Sequence, residues 1–174
     1  HVDIVRRFGV PAVVCVNRFP ADTDEEIARV VSAAHAAGAR AAAPSEVWAH
    51  GGRGGAEIAE AVIAACESGD GRRGFRFLYD TETPVIDKMR AIATQVYGAD
   101  GVDISEAARQ QIQRFSHLGF GHLPVVMAKT PASLSHDPTL KGRPRGFTVP
   151  VREVRLSAGA GFLYALCGDI MTMP

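Results

Sequence analysis

The chain is poor in aromatic rings. They occupy 7% of its 174 positions, and Trp48 is the only tryptophan. Cysteine is also scarce. Cys15, Cys66 and Cys167 are odd in number and far apart, which excludes a C-x-x-C pair and any disulfide framework. A reducing, cytoplasmic setting follows as the expectation. Excess charge is missing too: 19 basic residues face 19 acidic ones, so a nucleic-acid binder held by bulk electrostatics is excluded. No apolar run approaches the roughly 20 residues needed to span a membrane, and no segment has signal-peptide layout. The six histidines show no H-E-x-x-H or Cys/His spacing, so no metal site is expected.

What remains is ordinary globular material. A chain of this length can bury roughly 70% of its unfolded surface. We expect a single α/β region over residues 1–174. The opening at His1 and the close on Met171-Thr172-Met173-Pro174 read as a piece of a larger protein.

Residues 11–16 form a short Val-rich apolar run, the mark of a buried strand. Thr23 followed by Glu26 is a capping box, and Ile27, Val30, Val31 and Ala34 give the helix behind it an apolar stripe. Gly38 ends that helix. A second strand is expected over 39–43. A helix with the stripe Ala59, Val62, Ile63 and Cys66 comes next, then a turn-rich break over 68–74 and a third strand over 75–79. Thr83-Pro84 opens a helix with the stripe Val85, Met89, Ile92 and Val96. A loop over 98–103 leads to a helix carrying Ile104, Ala108, Ile112 and Phe115. The fourth strand covers 123–128, and a long loop covers 130–146. The strand over 147–156 carries Pro150, which places it at an edge or on a bulge. The order β-α-β-α-β-α-α-β-β implies a mostly parallel sheet with helices packed on it.

In open α/β sheets ligands bind beyond the carboxyl ends of the strands. The residues there are Asn17 and Phe19, then Trp48, then Tyr79 and Asp80, then Lys129 and Thr130. If the first two strands are neighbours, Phe19 and Trp48 share a rim and form a slot for a planar ring. The alternative is that both rings cap the core. Gly51-Gly52-Arg53-Gly54-Gly55 precedes a helix and offers backbone N–H groups to an anion, or is a loop needing close backbone approach. It is no Walker motif, since no Lys-Ser/Thr follows. Ser157-Ala158-Gly159-Ala160-Gly161-Phe162 fails the dinucleotide fingerprint because Tyr164 stands at the third glycine position, leaving a tight turn. Lys141, Arg143 and Arg145 are a basic cluster for a phosphate or carboxylate tail, or a solvated loop. Ser133, Ser135, His136 and Asp137 carry triad residue types but lie too close in one loop to argue a triad.

Several stretches together carry a resemblance. They are Asn17-Arg18-Phe19-Pro20-Ala21-Asp22-Thr23, Val47-Trp48-Ala49-His50-Gly51-Gly52, Tyr97-Gly98-Ala99-Asp100, Ala128-Lys129-Thr130, Ser133 to Pro138, Lys141-Gly142-Arg143-Pro144, Ser157 to Phe162, and Ile170 to Pro174. In this order, across essentially the whole chain, they resemble the formate–tetrahydrofolate ligases. The resemblance implies the C-terminal, folate-binding part of a larger nucleotide-dependent ligase, without the family's N-terminal phosphate-loop domain. It implies a reaction joining formate to tetrahydrofolate through formyl phosphate, with ATP, Mg²⁺ and a monovalent cation. The implied partners are tetrahydrofolate, the N-terminal domain and further copies in a homo-oligomer, a tetramer in the family. The family's pterin-stacking pair falls on Phe19 and Trp48; Asn17 and Lys129 match family motifs as further substrate contacts. Gly51, Gly52, Arg143 and Arg145 remain candidates for a phosphate or tail contact. The family's usual Lys in W-A-K-G-G is His50 here. No catalytic residue is assigned to the segment, which is expected to be inactive alone. A non-catalytic packing or oligomerisation module and a phosphate-binding α/β domain are the competing readings.

Overall fold

The computed structural model describes residues 1–69 and 74–170. The turn-rich break at 68–74 falls largely outside the described residues, and so does the closing motif beyond Ile170. The chain packs as two compact units, His1–Phe77 and Leu78–Pro174.

The first unit begins with helix α1, Val2–Arg7, and strand β1, Val13–Asn17. Helix α2, Asp24–Ala36, then crosses over to strand β2, Ala41–Ser45, which pairs with β1 in parallel from Val13↔Ala41 to Asn17↔Ser45. The crossover follows its local chemistry. Thr23 Oγ1 accepts from Glu26 N at 3.2 Å while Thr23 N donates to Glu26 Oε2 at 2.9 Å. This reciprocal cap satisfies backbone N–H groups that the first turn leaves unpaired. Gly38, at φ +90°, takes the left-handed position that ends α2. After β2 come one turn of helix, α3, Val47–His50, a 3₁₀ segment, Gly51–Gly55, and helix α4, Ala56–Glu67. Both α2 and α4 pack on both strands.

Two expectations fail here. The expected core stripe of α4 faces outward: Val62 and Ile63 are exposed and so is Cys66, whereas Ala65 is buried and Ile58 and Ala61 are half-buried. Residues 75–79 form no strand. Arg76 N donates to Phe8 O beside α1, and Phe75 and Phe77 lie exposed with their rings edge to face. A strand exists only with a neighbouring backbone to pair with, and this segment is offered one bond instead of a ladder.

The second unit carries helix α5, Val85–Ala91, extended by a π-helical turn, Ile92–Tyr97. Strand β3, Gly101–Ile104, lies where a loop and a helix start were expected. Its pairing with a strand almost fifty residues on had no local signal. Helix α6, Glu106–His117, starts at Ser105, whose Oγ accepts from Ala108 N at 3.1 Å. Strands β4, Val125–Ala128, β5, Thr148–Ser157, and β6, Phe162–Cys167, complete a sheet of order β3-β5-β6-β4. The β3/β5 and β4/β6 pairs are parallel, and β5/β6 is an antiparallel hairpin. Its turn is Ser157–Phe162, closed by Gly161 N donating to Ser157 O at 2.9 Å.

Pro150 therefore sits in an interior strand, and the register slips just beyond it between Val151 and Glu153. The bulge reading of that proline holds and the edge reading does not. Met89, Ala93, Ala108, Val149, Val151, Leu163 and Ala165 form the core, with α5 and α6 laid on the sheet. The architecture is α/β with parallel-rich sheets, divided into two sheets rather than one.

Candidate ligand site at the ends of β1 and β2

The ladder of the first sheet runs one step past β1, with Arg18 N donating to Ser45 O at 3.0 Å. The chain then turns sharply. Phe19 N donates to Asp22 Oδ2 at 2.7 Å, Asp22 N donates to Phe19 O at 3.0 Å, and the Arg18 guanidinium pairs with Asp24 Oδ1 at 2.5 Å. An Asp side chain bonding a nearby backbone N–H is ordinary turn chemistry. Here it fixes the residue that carries the ring. Trp48 arrives from the other strand on α3, and its Nε1 donates to Arg18 O at 2.7 Å.

The two rings meet with centroids 6.0 Å apart and planes inclined by 19°, a stacked arrangement. Phe19 is 54% exposed and Trp48 57% exposed, so neither caps the core. A planar ring inserted between them needs two contacts of about 3.5 Å, or about 7 Å in all. Centroids 6.0 Å apart are closer than that, so the pair has to open before it takes a ligand between its faces.

Beside the pair lies an open cleft of about 520 Å³ lined by Pro44, Glu46, His50, Arg53, Gly54 and Glu57. Of the glycine run, Gly54 is the one the packing requires. A Cβ there would stand 2.5 Å from Glu46 O and 2.9 Å from Val47 N, while Gly54 O accepts from Glu46 N at 3.0 Å. The close-approach reading of that run thus has a specific residue, one that sequence inspection did not single out. Gly51 and Gly52 are exposed with open space where a Cβ would go, and Gly51 N is already committed to Val47 O. Asn17 ends β1 opposite Ser45 and is exposed.

The remaining candidates belong to the second unit. Lys129 follows β4, and its Nζ donates to Thr130 O at 3.1 Å and to Ser133 O, 4.9 Å from the centre of the Tyr97 ring. Burial holds its pKa below the usual lysine value. Burial likewise pushes the Tyr97 hydroxyl up to about 12 and the Cys167 thiol up to about 12. Ser133 and Ser135 are buried with hydroxyls 2.9 Å apart, and a bridge between Ser133 and Gly142 closes the base of the long loop. Lys141, Arg143 and Arg145 stand exposed along that loop.

Sequence reading also missed Lys88, fully buried on α5, whose Nζ donates to Gly121 O at 2.7 Å and Leu123 O at 2.9 Å. Burial lowers its pKa against the opposing pull of Glu82 and Asp80. Its signal was present: Lys88 lies between Val85 and Met89 on the apolar face of its helix.

An α/β unit that exposes a stacked aromatic pair beyond the carboxyl ends of parallel strands has the layout of a ligand-binding α/β domain. The family described as Formate--tetrahydrofolate ligase matches residues 1–174, and the chain belongs to that family. Over its whole length it is 51% identical to the formate--tetrahydrofolate ligase of Cutibacterium acnes and 48% identical to that of Desulforamulus reducens. It is 47% identical to the protein of Schizosaccharomyces pombe named C-1-tetrahydrofolate synthase, cytoplasmic. The chain spans 30% of the length of each of the two ligases and 18% of the length of the synthase.

Proposed function

We propose that this chain is part of an ATP-dependent ligase that joins formate to tetrahydrofolate, and that its first unit supplies the pterin-stacking site. The observation that supports this reading is the near-parallel, half-exposed Phe19–Trp48 pair at the strand ends. A pterin is flat, and an aromatic face is worth about 1–3 kcal/mol per stacked base in nucleic-acid systems. Two faces fix the plane of the ring while leaving its edge free for reaction. Asn17 and the cleft beside Trp48 lie on the same rim and serve as further substrate contacts. Lys129, whose Nζ bonds Thr130 O and Ser133 O in the second unit, is a further substrate contact by resemblance.

Formate activation needs ATP, Mg²⁺ and, by resemblance, a monovalent cation. Among the described residues no three His, Cys, Asp or Glu side chains stand together as metal ligands. No residue is assigned to that ion, and no step of this reading runs through it. We expect the 174 residues alone to carry out no ligation, because the proposal assigns them one substrate and not the phosphate chemistry. The setting is cytoplasmic, supported by the exposed thiols of Cys15 and Cys66 and by the name of the Schizosaccharomyces pombe relative. Among the described residues no helix is long and apolar enough to cross a membrane. Assembly into a homo-oligomer is part of the same reading.

The sole tryptophan makes the test direct. Titration with tetrahydrofolate should quench Trp48 emission saturably, with circular dichroism showing the fold intact. An unchanged spectrum from the folded protein overturns the stacking site.

A further inference from the structure

Helix α4 has more apolar surface than its own unit covers. At 3.6 residues per turn, Ile58, Ala61 and Ala65 project along one side. They are half-buried or buried where α4 packs on β1 and β2. Val62, Cys66, Ala59 and Ile63 fill the adjoining roughly 100° of arc. All four are exposed. Glu57, Glu60 and Glu67 are confined to the rest of the circumference. The apolar arc is therefore about three times as wide as the part in use, and the charged residues lie beyond its ends. A helix at a simple solvent boundary shows one apolar stripe facing the core.

The sheet beneath has the same unfinished character. Among the described residues it contains two parallel strands, each with a single neighbour. Parallel strands are normally found in sheets covered by helices on both faces, and two strands make a marginal sheet. A further parallel strand would bring its own crossover helix to lie alongside α4.

We propose that the Ala59–Val62–Ile63–Cys66 face of α4 is the packing surface for a helix supplied by the remainder of a longer ligase chain. This rests on the reading that the segment works within such a chain, as its 30% share of the two ligase relatives supports. The small, uncharged side chains suit close helix–helix packing at about 8–10 Å between axes. A membrane surface is a poor fit, since interfacial helices carry Lys and Arg, whereas α4 carries only Glu. A second copy is a poor fit as well. Four side chains make a patch far below the roughly 1,200–2,000 Å² that a free-standing dimer buries. A small patch suffices when covalent linkage keeps its partner at high local concentration.

Cys66 reports on the face directly. In a full-length ligase carrying this segment, alkylation of Cys66 by iodoacetamide, followed peptide by peptide, is compared between native protein and protein unfolded in urea. The expected native rate is at least about tenfold below the unfolded rate. That protection should persist on dilution, and Ile63→Glu should raise the native rate. Native labelling as fast as in urea overturns the proposal, because the face is then open. Protection that disappears on dilution also overturns it, because a second copy is then the cover. Neither readout involves tetrahydrofolate, so failure of the stacking site and failure of this interface are told apart.

Discussion

The Trp48 indole N–H donates to the Arg18 carbonyl at 2.7 Å, which ties the ring from one strand end to the residue just before the ring from the other. The stack thus follows from the backbone. Arg18 is held by the sheet through Ser45 and by its ion pair with Asp24. Phe19 is one residue further on, its own N–H fastened by Asp22.

Phe19→Ala should weaken tetrahydrofolate binding by about 1–3 kcal/mol, the value of one stacking face. It should leave thermal stability within about 0.5 kcal/mol, because substitutions at exposed positions seldom cost more. Binding is read from Trp48 emission. An affinity equal to the wild type would remove Phe19 from the site.

Gly54→Ala should destabilise the first unit by about 1–3 kcal/mol, the usual cost of forcing extra atoms into a packed place. The new Cβ would be driven to 2.5 Å from Glu46 O. Tetrahydrofolate affinity should fall with it, since Glu46 is two residues from Trp48. Gly52→Ala is the matched control and should do neither, as nothing lies within 4 Å of its added carbon. Urea unfolding of both variants decides the matter; equal midpoints would refute the close-approach role.

Alkaline stability should depend on Cys167. Its thiol, with an ordinary value of 9.0, is pushed up to about 12 mainly by burial. Between those values the unfolded chain releases the proton while the folded chain keeps it. The associated stability is complete below pH 9.0 and is lost as pH rises towards 12. Replacing Cys167 by Ala should remove about 1–2 kcal/mol of the loss seen between pH ~8 and ~10.5. Denaturant midpoints at the two pH values measure it, and wild-type and variant curves that fall in parallel would contradict the assignment. The Tyr97 hydroxyl, raised in the same sense, leaves a residual slope in the variant.

Features whose cause lies within a few residues were legible in the sequence. Thr23 with Glu26 announced the start of α2 and Gly38 its end, and both rest on bonds or torsions made locally. Phe19 and Trp48 were legible for a related reason: a βαβ crossover brings the ends of consecutive parallel strands together. What escaped depends on distant partners. Strand β3 exists because β5 lies beside it, and residues 75–79 lack a strand because the backbone beside them offers Arg76 one bond, to Phe8 O, and no ladder. The stripe of α4 was found by its period, yet a wide apolar arc leaves its phase open, and the sheet took Ala65 rather than Val62. Lys88 escaped because a charged residue on an apolar face needs its two carbonyl acceptors in view before its burial makes sense.

The 6.0 Å stack also bears on how fast a ligand can enter. A ring cannot slide into a gap narrower than its own thickness plus clearance, so opening precedes entry. Trp48 is tethered through its indole nitrogen, whereas the Phe19 ring carries no polar atom to anchor it, so Phe19 is the freer of the two rings. If the pair sandwiches a ligand, association is gated, and the observed rate should level off with rising ligand concentration at the frequency with which the phenyl ring turns aside.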